Sequence, residues 1–420
     1  MTHATTAASD DTSAAASLRP VPSATPAPAA SPSRPGFFAL ELLDNRFPAL
    51  HGMRFFAIVT VIAYHVTWIF MGEQGIVLDP TFFAQSLTVF FGMDLFFVLS
   101  GFLIGSILLR SLAKSGSPEL RRFYVRRVFR TFPSYYVVLT VLALAFPLTA
   151  AQHRHLIWEY VYGTNFLPLQ RGQTVMFWGW SLALEEQFYL SVPFLFLALH
   201  RLRSDRARIT FVSLFWLSAL AVRLGIYYRH PGPWNDFDLY GALYFRTHTR
   251  FDPLVMGILI ALLHKSYGRA IAAWLEPPFH RAVVALASLA CLWLLLRPAM
   301  FGIERLQVVH LFAWGTITSL MYLGIVPMAL YGDGWLCRAM GAPIFRRLAT
   351  LGYGVYLVHI PIIDHVMVPA AKSAQQRGWS MLWVWPTALA STVVLSLAVG
   401  YLLHVLIEKP SLRFRERIAA

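Results

Sequence analysis

Charged side chains are scarce in this sequence: Asp, Glu, Lys and Arg make up 13% of its 420 residues, about half the share usual in soluble chains. With 57% hydrophobic and 15% aromatic residues, too little polar surface remains to cover a water-soluble globule. Cysteine is nearly absent. Cys291 and Cys337 have 45 residues between them, which excludes a disulfide framework and a CxxC metal or redox pair; no metal site is expected. Acidic residues are also few, 21 against 35 Lys and Arg, for a formal net charge of +14. In a soluble chain that excess would suggest nucleic acid, but here the basic residues lie between apolar blocks, so the expected partner is the bilayer and not nucleic acid.

Apolar stretches long enough to cross about 30 Å of hydrocarbon recur ten times, near 53–71, 87–109, 134–150, 186–200, 209–228, 252–264, 281–297, 308–331, 347–370 and 381–407. The expected fold is therefore all-α, a polytopic integral membrane protein. The sixth stretch is short and Pro193 interrupts the fourth, so both need polar neighbours or a kink. Counted over alternate loops, 25 of the 35 Lys and Arg fall on the side of the termini and 9 on the other, with Arg223 inside a span. The positive-inside rule then puts both termini in the cytoplasm. Residues 1–36 hold ten Ala and six Pro with no apolar run and read as a disordered cytoplasmic tail, followed by a membrane domain over 37–413 and a short tail over 414–420.

Ionisable residues within spans are costly and default to functional candidates. Arg54 and His65 are eleven residues apart, about three turns, so they share a helix face some 16 Å apart along the axis. His65 is thereby near mid-membrane, either a core histidine or a neutral base. Asp94 lies near the outer end of the second span, within reach of water. Ser100 follows, while Gly101 and Gly105 make the small-xxx-small spacing that admits a close helix. Arg127 and Arg130, three apart on one helical face, match phosphate bidentately or simply set topology and touch lipid head groups. Trp178 and Trp180 suit an interfacial belt, with Glu185 and Glu186 in the first turn of the helix behind them. Arg250 and Asp252 read as an ion pair at the outer rim. Tyr356 and His359 lie within the ninth span, and Glu408 marks the end of the tenth.

Taken in order, these segments resemble the bacterial acyltransferase-3 family of integral membrane O-acyltransferases. Phe47 to Arg54 followed by His65 is similar to that family's first-helix signature, Gly92 to Phe102 to its second-helix motif and Arg127 to Arg130 to its Arg-x-x-Arg element. Ser181 to Tyr189 is similar to its Ser-Leu-x-x-Glu-Glu-Gln-Phe-Tyr element; Tyr356 to His359 and Glu408 to Pro410 are similar to its closing motifs. His51 stands where the family usually has Asp. The resemblance covers residues 47–413 and implies ten helices, a bacterial inner-membrane location, an acyl-CoA (often acetyl-CoA) co-substrate without a tightly bound cofactor, and a hydroxyl acceptor on a glycan, a lipid-linked sugar or an exported small molecule.

On that reading His65 is the general base, Glu185 orients it as a triad carboxylate would, and Arg54, Arg127 and Arg130 hold the phosphates of coenzyme A. The competing class is a proton-coupled transporter or flippase, with His65, Asp94 and the glutamates as a relay.

Overall fold

The computed structural model describes residues 38–74, 76, 91–116, 119–229, 241–301 and 304–419; the expected tail over 1–36 lies outside them. Among the described residues, ten helices are long and apolar enough to cross a membrane. Their α-helical parts are α1 (Ala49–Thr67), α2 (Phe91–Ser115), α3 (Leu120–Ala145), α4 (Trp180–Arg201), α5 (Asp205–Arg229), α6 (Asp252–Leu275), α7 (Pro278–Phe301), α8 (Glu304–Tyr331), α9 (Pro343–Ile362) and α10 (Met381–Leu403). The described residues form no strand ladder. In hydrocarbon each backbone group must be satisfied within its own segment, and helices do this.

Glycine decides how closely these helices approach. α2 packs most extensively on α6. A Cβ at Gly101 would collide with the Leu254 carbonyl, and one at Gly257 with the Val98 carbonyl. The small-residue spacing on α2 is thus a packing device, as its sequence suggests. α9 meets α10 the same way, where a Cβ at Gly354 would lie 3.0 Å from the Gly400 Cα.

Two spans differ from their sequence boundaries in ways that matter for the site. α4 begins at Trp180 after a 3-10 turn over Phe177–Gly179, so Glu185 and Glu186 fall in its second turn rather than its first. Trp178 and Trp180 are buried, at 3% and 6% exposure; they pack among helices instead of forming an interfacial belt. Pro193 lies within α4 without ending it. The sixth span, short in hydropathy, is completed by a less apolar continuation to Leu275. Three spans widen into π turns, at Trp68–Glu73, Ile363–Met367 and His404–Glu408. The second follows Pro361, which has no N–H for the Leu357 carbonyl.

Candidate active site

Where α1, α2, α3, α4 and α9 meet, a cavity of about 160 Å³ opens among their side chains. One end is basic. Arg54 of α1 and Arg127 and Arg130 of α3 line it, and Glu185 and Glu186 of α4 face them. The helical period brings these groups together: Arg127 and Arg130 are one turn apart, and so are Glu185 and Tyr189. The Glu185 carboxyl stands among Ser100, Arg54, Arg127 and Tyr189, and Glu186 against Thr131. The Arg127 guanidinium lies over the Tyr189 ring at 5.5 Å and near Phe123 at 5.9 Å. Its Nε is buried without a hydrogen-bond partner among the described residues. Ser100 Oγ and Tyr189 OH are 2.6 Å apart. Apolar side chains complete the wall, including Phe55, Ile58, Phe96 and Phe97.

Ser181 and Tyr356 line the cavity as well. Their hydroxyls meet at 2.5 Å, and the Tyr356 OH donates to the Trp178 carbonyl at 2.9 Å. One turn further along α9 lies His359, fully buried, with Nε2 3.0 Å from Nδ1 of His65. The two rings are 4.9 Å apart, centre to centre. Neither histidine is among the cavity-lining residues, so the Ser181–Tyr356 contact stands between the basic cavity and the histidine pair. Beyond the pair, Phe177 approaches His65 at 6.4 Å and Trp68 at 5.6 Å, and the Arg171 guanidinium lies 5.6 Å from the Phe177 ring centre. Arg171 is itself ion-paired with Asp364 in the π turn that follows α9.

Several expected pairings are rearranged. Glu185 is not the partner of His65; it faces the arginines, and His359 meets the imidazole. Asp94 is not within reach of water but fully buried, held by Arg250 at 2.6 Å and by the Trp314 indole N–H at 2.7 Å. Arg250 therefore pairs with Asp94 rather than forming the expected rim pair with Asp252. Asp252 takes Arg223 instead, at 2.9 Å, and Arg223 also donates to the Thr249 carbonyl and to Thr316 Oγ1. All four charges are at most 1% exposed. The relay expected of a transporter is not assembled, because Asp94 and His65 have separate partners. Glu408, given no role from sequence, accepts from His404 Nδ1 at 2.9 Å, while the Glu41 amide donates to His404 Nε2. That pair tethers the segment before α1 to the end of the tenth span.

Glu159 carries no motif and was not legible as a site residue. It lies in the helix Ala150–Tyr160, which opens on a capping box of Thr149 and Gln152. Its carboxyl accepts the amides of Val175 at 2.8 Å and Met176 at 2.7 Å, fixing the strand of loop that leads to Trp178. Burial pushes this carboxyl up to about 7, against the two amide donors that pull it down.

The profile of the acyltransferase domain family matches residues 47–401. Among curated proteins, the peptidoglycan O-acetyltransferase OatA of Listeria monocytogenes is 26% identical over 358 residues, 79% of this chain and 51% of that protein. YrhL of Bacillus subtilis, whose name gives it the same activity provisionally, is 26% identical over 379 residues, 86% of this chain and 54% of its own. The chain spans about half the length of the curated relatives it matches. No solved structure matches it significantly. With a family match over most of its length and, among the described residues, ten helices long and apolar enough to cross a membrane, the chain is a multi-pass membrane protein and belongs to the acyltransferase-3 domain family.

Proposed function

We propose that the protein transfers an acyl group, acetyl in the simplest case, from acyl-CoA to a hydroxyl of an envelope glycan. The observation that carries this reading is the cavity in which Arg54, Arg127 and Arg130 converge with an apolar wall behind them. Three guanidiniums against two carboxylates leave a surplus positive charge suited to phosphate oxygens, and the apolar wall suits the uncharged arm of a thioester donor. The excess of Lys and Arg on the terminal side supports a cytoplasmic opening for this cavity, where acyl-CoA is available. Relatives named for peptidoglycan O-acetylation support a glycan acceptor.

In the proposed reaction the acceptor hydroxyl gives its proton to neutral His65 as its oxygen bonds to the thioester carbonyl carbon. The tetrahedral intermediate collapses with cleavage of the carbon–sulfur bond, and the imidazolium returns the proton to the leaving thiolate. General base catalysis of this kind contributes about 10²–10⁴ in rate. Glu185 and Glu186 align the guanidiniums. The Ser181–Tyr356 contact must part for the acyl group to reach the histidine.

The test is mass spectrometry of envelope glycans, lipids and secreted metabolites from cells carrying the native protein or His65→Ala, seeking a base-labile acyl ester. An ester present with the native protein and absent with a folded His65→Ala variant identifies acyl group and acceptor together. Identical esters in both strains, with no binding of acetyl-CoA to purified protein, would overturn the reading.

A further inference from the structure

We infer that His359 is a positioning residue that fixes the tautomer of His65, holding its proton on Nδ1 and leaving the lone pair on Nε2; the inference rests on His65 being the base. The assignment follows from which atoms can donate. His359 Nδ1 lies 2.6 Å from the Tyr356 backbone carbonyl. A carbonyl oxygen only accepts, so His359 carries a proton on Nδ1. In the neutral ring its Nε2 is then an acceptor. That atom is 3.0 Å from His65 Nδ1, so His65 donates from Nδ1, and its Nε2 is the nitrogen free to take a proton. The carbonyls of Val355 and Val61, each one turn before its histidine, also lie against the two rings. Both are acceptors and favour a ring proton on the side facing the preceding turn.

The chain of dependence reaches further. Tyr356 supplies its carbonyl to His359, while its hydroxyl is tied to Ser181 and to the Trp178 carbonyl. The side chain that closes the cavity and the carbonyl that orients the histidine pair thus belong to one residue. When His65 takes a proton on Nε2, its Nδ1–H still faces the His359 lone pair, which stabilises the imidazolium. His359 does this as a neutral acceptor, without the second buried charge that a triad carboxylate would bring into the membrane. The sequence separation of 294 between the two histidines explains why spacing along the chain offers no hint of it.

The experiment is ¹⁵N NMR of full-length protein labelled at histidine, with the His65 signals assigned by difference against His65→Ala. The expected native spectrum has a protonated Nδ1 and an unprotonated Nε2 for His65. A His65 carrying its proton on Nε2 would overturn the inference. His359→Phe removes the acceptor and should release the tautomer, cutting the yield of acyl ester in cells by up to about 10⁴-fold, the scale of a mis-set histidine tautomer in a catalytic triad, with acetyl-CoA binding unchanged. His359→Gln places an amide oxygen where Nε2 stands, so it should keep the Nδ1–H form of His65 and recover activity to within about tenfold of native. A His65 spectrum unaltered by His359→Phe, or Gln no better than Phe, would also overturn it. If His359→Phe does not fold, the native spectrum and the Gln variant decide the matter. An ester still made by His65→Ala is a separate outcome: it removes the base reading and leaves the spectrum to stand by itself.

Discussion

Two regions of this molecule set arginine beside carboxylate, fully buried in one and half-buried in the other. In the cluster of Asp94, Arg223, Arg250 and Asp252, each carboxylate has a guanidinium within 2.9 Å, the formal charges cancel, and exposure is at most 1%. In the cavity, Arg54, Arg127 and Arg130 outnumber Glu185 and Glu186, the Arg127 guanidinium lies over the Tyr189 ring, and room remains. A buried charge that is paired and neutralised spends its interactions on the protein itself. A half-buried cation in surplus, next to open volume, is available to something that arrives. The first region holds α2, α5 and α6 together; in the proposed function the second receives the phosphates of the donor.

Breaking the paired cluster should have the largest effect. Arg250→Ala leaves Asp94 buried beside Trp314 without its counter-charge, and removing one partner of a buried pair costs about 3–5 kcal/mol. The expected outcome is loss of folded protein in a thermal unfolding assay in detergent, whether or not donor is present. By contrast, Arg127→Ala with Arg130→Ala should leave the unfolding midpoint nearly unchanged while weakening acetyl-CoA binding by roughly 10²–10⁴-fold, since charge-assisted hydrogen bonds contribute about 1.5–3 kcal/mol each. Equal destabilisation by both changes would erase the distinction between the regions. Arg127→Lys sharpens it: lysine keeps the charge but loses the planar fork and much of the contact with Tyr189. We expect an intermediate loss of donor affinity, read by calorimetry.

The smallest effect concerns pH. Burial raises the Glu159 carboxyl to about 7, above the ordinary glutamate value near 4.3. Between those values the unfolded chain binds fewer protons than the folded one, so this residue's contribution to stability is full below about 4.3 and declines as pH rises through 7. The measurement is hydrogen exchange at the amides of Val175 and Met176, expected to quicken relative to the helix core as pH goes from 5 to 8 after correction for intrinsic rates. A flat profile would show that the two amide donors fully offset burial.

Much of the fold is written locally in the sequence, because hydropathy over a window of about 20 residues reports directly on the cost of spanning hydrocarbon. The ten spans and the packing role of Gly101 follow from such patterns. Partners do not. Asp94 and Arg250, Asp252 and Arg223, His65 and His359 are joined by helix packing, and adjacency in sequence misdirects: Arg250 and Asp252 read as a pair and each chose another residue. The glutamates fall one turn later for a related reason, since the buried Trp178 before α4 and Trp180 at its start look the same in sequence as interfacial tryptophans. Glu159 carries no signal at all, because its role is to hold two backbone amides of a loop, and any residue type can supply those.

The contact between Ser181 and Tyr356 also bears on the cell's energy supply. In the proposed function a polar donor enters from one face and a hydroxyl reacts at His65 beyond, which leaves the Ser181–Tyr356 contact as the barrier between two polar spaces. Moving one elementary charge through the membrane potential releases about 2.3 kcal/mol per 100 mV, so a continuous wet path would drain the ion gradient during every catalytic cycle. Two hydroxyls 2.5 Å apart are the thinnest seal that side chains can make. In the proposed function they part only for the acyl group, which then fills the gap between them, and the membrane stays electrically closed.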